Sequence, residues 1–176
     1  MYGAILGDMI GAPYEFDMGS KTKDFPIFGR GSHFTDDSVM TIAVAEALMS
    51  LEGNENVEMV HRAVSNAMRK WGRRYPDAGY GGRFRGWLFT DEQPKPYGSW
   101  GNGSAMRVSF IGEHYGEYEE MQRMAKETAM VSHNHPEGVK GAVVTATCIW
   151  MAKHGKTKQE IYDYVLEQYP EDKYPF

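Results

Sequence analysis

Residues 33–49 read HFTDDSVMTIAVAEALM, two adjacent aspartates followed directly by an almost wholly apolar run. From Val39 to Leu51 the apolar residues go round every side, so a helix built from them has no solvent face and must be surrounded. The stretch predicts a central buried helix with Thr35, Asp36, Asp37 and Ser38 at its start. Two readings of those four residues stand side by side. Asp and Ser are favoured N-caps, and the helix dipole favours negative charge there. Equally, two carboxylates and two hydroxyls are hard oxygen donors suited to Mg²⁺, Ca²⁺ or Mn²⁺. A cap needs one such residue, and two adjacent acids exceed that need.

Working outward, helical periodicity dominates the chain. In VEMVHRAVSNAMRKW, Val60, Ala63, Val64, Ala67, Met68 and Trp71 form one apolar stripe, and EYEEMQRMAKETAMV repeats it through Met121, Met124, Ala125 and Thr128. GAVVTATCIWMA, Gly141 to Ala152, is apolar all round and predicts a second central helix, entered through His135-Pro136-Glu137 with Pro136 at its first position. A last helix starts at Thr157, with Glu160 completing a capping box, and stops at Pro170 before the tail YPEDKYPF. No alternating strand pattern and no internal repeat is present. The expectation is an all-α single domain over residues 1–176, a compact orthogonal bundle with central buried helices. The stretches Arg74–Phe84 and Pro94–Ser104 are read as glycine- and aromatic-rich loops.

Composition narrows the function classes. With 176 residues, 41% hydrophobic, the chain can build a core. A net charge of −5, with basic residues dense only in Met68–Tyr75, argues against nucleic acid as a partner. The one cysteine, Cys148, lies in an apolar run and allows no internal disulfide. No signal peptide or membrane span is recognisable. A cytoplasmic protein is expected.

Three further segments invite chemistry. GAILGDMIGAPYEF carries Gly3, Gly7 and Gly11 four apart, a groove suited to a tight helix crossing, with Asp8 and Glu15 two turns apart. GSWGNGSAMRV is a glycine-rich loop entering a helical segment near Ser104. It reads either as a phosphate cradle with Trp100 ready to stack, or as an Asn-Gly turn with a serine cap. VSHNHPEG offers His133 and His135, structural or ligand-binding, without the partners zinc needs.

Taken in order, GAILGDMIGAPYEF, FTDDSVM, GYGG, GSWGNGSAMRV and SHNHPEGVKGA resemble the ADP-ribosylglycohydrolases, over residues 3–142. The resemblance implies an all-α fold and a Mg²⁺-dependent (or Mn²⁺-dependent) hydrolase that removes ADP-ribose from a modified protein or small molecule. It implies Thr35, Asp36 and Asp37 as metal ligands, and Glu15 and Asp36 as catalytic carboxylates. Gly79, Tyr80, Gly81, Ser99, Trp100, Gly101, Asn102, Gly103, Met106 and His133 would line the ADP-ribose cleft, with Asp77 at a position where some members place an acid. Members of the family use a pair of magnesium ions, completed by a D-x-D-T segment near their C-terminus. This sequence has no D-x-D, so a C-terminally shortened form is expected, completed by a homo- or hetero-oligomeric partner. The alternative is an ADP-ribose-binding or regulatory protein without turnover. A helical oxygen-ligand metal protein outside the family is a third reading.

Overall fold

Helix α2 (Asp36–Met49) is the buried helix the opening stretch predicts: nine of its residues, from Ser38 to Leu48, are buried. It is seen in a computed structural model of the chain, which describes residues 1–17, 23–51, 53, 56–170 and 173–174, so the C-terminal tail lies partly outside the described residues. Every described regular element is helical: α1 (Tyr2–Gly11), α2, α3 (Val57–Arg74), α4 (Gly82–Phe89), α5 (Ser109–His114), α6 (Tyr118–Met130), α7 (Pro136–Lys153) and α8 (Lys158–Gln168). The protein is all-α. Its contacts gather into two compact units, Met1–Lys95 and Pro96–Phe176.

In the first unit α2 packs chiefly on α3. The predicted stripe of α3 supplies Val60, Val64, Ala67 and Met68 to that core, each almost inaccessible to solvent. Burying such side chains contributes about 1.5–3 kcal/mol apiece, which is why patterning decides the fold here. Asn56 caps α3, accepting a hydrogen bond from the Glu58 N–H at 2.9 Å. Helix α4 lies against α3 at Gly72, where a Cβ would come 2.8 Å from Leu88 Cδ1.

Helix α1 departs from expectation. The glycine groove should receive another backbone, yet a Cβ at Gly3, Gly7 or Gly11 would meet nothing within 4 Å among the described residues. That face is open, and Tyr2 and Leu6 beside it are exposed. The chain then tightens into a 3₁₀ segment, Ala12–Asp17, so Asp8 and Glu15 do not lie on one continuous α-helix.

In the second unit α7 is the hub, packing on α5, α6, α8 and a short 3₁₀ turn at Asn102–Ser104. The closest approach is at Gly112 of α5, where a Cβ would sit 2.6 Å from the Ala146 carbonyl oxygen. Here too a prediction is corrected. Gly138, Ala142, Val144, Ala146 and Thr147 are buried, but Val143, Ile149 and Trp150 remain half-exposed. The reason is α8: it has the expected Thr157–Glu160 capping box, but no buried residue of its own, so it covers α7 only in part. The start of α7 follows the sequence, with Pro136 in the first turn and the His135 side chain accepting from the Glu137 N–H.

Candidate functional site

The acidic start of α2 is organised by a residue from α1. The Asp8 carboxylate, buried, accepts hydrogen bonds from the Thr35 N–H (2.8 Å), the Thr35 hydroxyl (2.6 Å), the Ser38 N–H (3.1 Å) and the Ser38 hydroxyl (2.5 Å). Two backbone donors at the helix start and two hydroxyls are thus satisfied by one side chain from outside the helix. Thr35 remains the N-cap, its hydroxyl oxygen 3.4 Å from the Asp37 N–H it accepts. Capping therefore falls to Asp8 and Thr35, which leaves Asp36 and Asp37 without a capping role.

Those two carboxyls sit half-buried in the first turn of α2. Burial pushes Asp36 up to about 6, helped by the neighbouring charges of Asp37, Glu15 and Asp8. Burial likewise pushes Asp37 up to about 6, with Asp8 and Glu15 adding to the effect. No described cation contributes to either shift. Glu15 in its 3₁₀ segment is near enough to repel both, so the three predicted acids do share one locality. Gly79, at φ +100°, lets its loop lie against this group: its Cβ position is 3.6 Å from Asp36 Oδ1. Next to it the Tyr80 hydroxyl is buried without a hydrogen-bond partner, and burial together with the Asp36 charge pushes its pKa far up. Gly81 caps α4 and is exposed. Asp77 instead lines a pocket of about 360 Å³ with His33, Phe34, Arg74, Tyr75, Pro76 and Ala78.

The donor chemistry fits a hard divalent cation. Asp36 and Asp37 supply carboxylate oxygens, and Thr35 retains a lone pair after donating to Asp8 and capping Asp37. The count is short: Mg²⁺ wants about six oxygens and these residues offer three. Among the described residues no group of three or more His, Cys, Asp or Glu side chains is placed to hold a metal.

The second group lies in the second unit. The loop of Ser99–Gly103 is stapled to the segment around His133: the Tyr97 N–H donates to the Ser132 carbonyl (3.1 Å), and the Gly98 N–H to Asn134 Oδ1 (2.7 Å). The Ser104 hydroxyl donates to the Gly138 carbonyl (2.7 Å). Two glycines make the fit possible. A Cβ on Gly138 would lie 2.5 Å from the Ser99 carbonyl oxygen, and one on Gly103 would lie 2.9 Å from His133 Nε2. Trp100 is 74% exposed, its ring 6.0 Å from that of His135. Asn102 and Gly101 are exposed and Met106 is half-buried. Behind the loop, His133 is buried, and desolvation with the nearby Arg107 charge pulls it down to about 4.

The helical segment expected near Ser104 is a correction. It is one 3₁₀ turn, Asn102–Ser104, and the next helix, the six-residue α5, begins only at Ser109. Three residues cannot align enough peptide dipoles for a helix-end anion site, so any phosphate contact there rests on individual loop N–H groups. One of these, Gly101 N–H, already donates to Ser99 Oγ at 3.3 Å.

Sequence reasoning did not single out Asp8 as the organiser of α2, nor Ser132 and Arg107 behind the loop. The available signals were an acid inside an otherwise apolar helix and a lone arginine in the apolar run AMRVSF.

Comparison with known proteins identifies the family. The family model described as ADP-ribosylglycohydrolase matches residues 1–175. Curated relatives include ADP-ribosylhydrolase ARH3 of Bos taurus, 30% identical over 94% of this chain and 51% of the relative. ARH3 of Homo sapiens is 29% identical over 90% of this chain and 50% of its own length. ARH3 of Gallus gallus is 27% identical over 97% and 53%. The chain spans about half the length of the curated relatives it matches.

Proposed function

The chain belongs to the ADP-ribosylglycohydrolase family, and from that premise we propose that it takes part in hydrolysing the ribosyl bond of an ADP-ribosylated protein or small molecule, with Mg²⁺ as cofactor. The observation that carries this reading is the pair Asp36 and Asp37. They are half-buried, relieved of capping by Asp8, and pushed up to about 6 with no described cation beside them. A protein that gathers uncompensated carboxyls in this way stores a demand for positive charge.

In this reading Thr35, Asp36 and Asp37 hold the metal, which when bound polarises ribose hydroxyls and water. Cleavage passes through an oxocarbenium-like state: water adds to the anomeric carbon, the bond to the acceptor breaks, and the acceptor leaves with a proton. Glu15 takes the proton from the attacking water and returns it to the departing acceptor, and Asp36 orients that water, a carboxylate contribution of about 10²- to 10⁴-fold in rate. The Tyr80 hydroxyl, unpartnered beside Asp36, donates to the ligand. Within the second unit, taken by itself, Trp100 would stack on a base, and Ser99, Gly101, Asn102 and Gly103 would face a diphosphate, with Met106 and His133 behind them.

The test is release of free ADP-ribose from ADP-ribosylated protein, with Mg²⁺ or Mn²⁺ and with EDTA. Metal-dependent release that is lost in Asp36→Asn and Asp37→Asn is the expected outcome. Unchanged turnover in those variants refutes their role.

A second reading is favoured by the oxygen count, which reaches only three of about six. The chain would then bind ADP-ribose without turnover until a partner chain completes the metal shell. No release with any metal, together with a raised melting temperature in ADP-ribose, selects this reading. A monodisperse monomer in sedimentation counts against the partner.

A further inference from the structure

Arg107 is fully buried, with no exposed surface, inside the second unit. A guanidinium there is costly, since burial removes its hydration and pulls its pKa down to about 10. Its Nη2 donates to the Thr128 carbonyl (2.9 Å) and to the Ser132 hydroxyl oxygen (2.9 Å), whereas Nε and Nη1 have no partner among the described residues. So expensive a cation, half satisfied, is not explained by packing. The Ser132 hydroxyl in turn lies 2.9 Å from His133 Nδ1.

The direction of this chain follows from donor inventory. Arginine only donates, so Ser132 Oγ accepts from Arg107. Ser132 is fully buried, and its hydroxyl has these two contacts. If it also accepted from an Nδ1–H, its own hydrogen would be buried without an acceptor, which a buried hydroxyl rarely tolerates. The hydroxyl hydrogen is satisfied only when it points at Nδ1. Nδ1 is then the acceptor, and the imidazole proton belongs on Nε2, the nitrogen nearest Gly103. Among the groups acting on His133 are the Arg107 cation, which opposes a second proton, and Tyr97, whose ring lies 5.7 Å away.

We propose that Arg107 and Ser132 are positioning residues that hold His133 as the neutral Nε2–H tautomer, presenting a hydrogen-bond donor to the Ser99–Gly103 loop and to the ligand it binds. The tautomer follows from the hydrogen bonds alone. The ligand, the diphosphate of ADP-ribose, rests on the functional reading above. A donor of fixed direction is what a phosphate oxygen requires, and a loop with only a single 3₁₀ turn lacks a helix end to supply it.

The experiment is two-bond ¹⁵N–¹H NMR of the histidine rings in the 176-residue chain at pH 7, joined to calorimetric titration with ADP-ribose. Wild type is expected to show His133 with a pyridine-like Nδ1 and a protonated Nε2. Ser132→Ala removes little volume, and it should convert this signature to a mixture of tautomers and weaken ADP-ribose about 5-fold, the size of one oriented hydrogen bond. Ser132→Thr, which keeps the hydroxyl, should restore both. An Nδ1–H tautomer in wild type, or an unchanged signature in Ser132→Ala, overturns the relay. Unchanged affinity in Ser132→Ala overturns the positioning role. A wild-type chain with the Nε2–H signature that does not bind ADP-ribose overturns the functional reading instead.

Discussion

At the scale of the residue, Asp8 shows how a charge that looks solvated in sequence becomes structural. Its carboxylate takes four hydrogen bonds from two residues at the start of α2. Replacing it by asparagine keeps the size, but even with the amide oxygen in the Oδ2 place the Thr35 hydroxyl loses its acceptor at Oδ1, and the three bonds that remain are no longer to a charge. The relief of like charge near Asp36 and Asp37 offsets part of that loss. We expect Asp8→Asn to destabilise the chain by about 2 kcal/mol, read as a lower urea midpoint with an unchanged m-value. The same variant should lower the pKa values of Asp36 and Asp37, because Asp8 is among the charges that raise both. The adjacent acids of FTDDS were legible as a cap or a metal site. That the cap is shared with a carboxylate 27 residues earlier is a tertiary fact which no local pattern records.

At the scale of the element, glycine divides by what surrounds it, and sequence spacing pointed to the wrong set. Gly3, Gly7 and Gly11 have the spacing of a packing groove yet stand open, whereas isolated Gly72 and Gly112 mark the tight crossings. Spacing reports the face of a helix, not whether another helix arrives there. Three alanine variants separate these cases by thermal or urea unfolding. Gly112→Ala drives a Cβ into the Ala146 carbonyl, backbone that cannot yield, and should cost about 3 kcal/mol. Gly72→Ala meets the end of the Leu88 side chain, which can rotate, and should cost about 1 kcal/mol. Gly7→Ala meets nothing and should stabilise by roughly 0.5–1 kcal/mol through helix propensity. The strongly periodic helices α3, α6 and α8 were readable because a one-sided apolar stripe has one use, and α2 because a helix apolar on every side must be surrounded. Helix α4, inside a stretch read partly as loop, was hidden by its two glycines and two arginines in eight residues, and α5 by its length of six.

At the scale of the whole molecule, the acid group makes global stability depend on protons and metal together. Asp36 and Asp37 have folded-state values of about 6, above the 3.8 of an unperturbed aspartate. The folded chain therefore holds more protons than the unfolded chain between those values. Their contribution to stability is fully present below about pH 3.8 and is lost as pH rises through about 6. Because both side chains keep solvent contact, screening reduces the penalty at pH 7 to about 1 kcal/mol each. A divalent cation removes that penalty and adds its own binding energy. At ten times its Kd a ligand of the folded state contributes about 1.4 kcal/mol, which for a chain of this length is a rise in Tm of about 3–5 °C. We expect Mg²⁺ to raise Tm by this amount at pH 7 and by clearly less at pH 5, where the carboxyls are largely protonated and the metal must displace those protons. In EDTA, Asp37→Asn should melt slightly above wild type at pH 7 and lose its response to Mg²⁺. A wild-type Tm indifferent to Mg²⁺ at both pH values would remove the metal from the proposed mechanism, while leaving family membership and the Asp8-capped helix untouched.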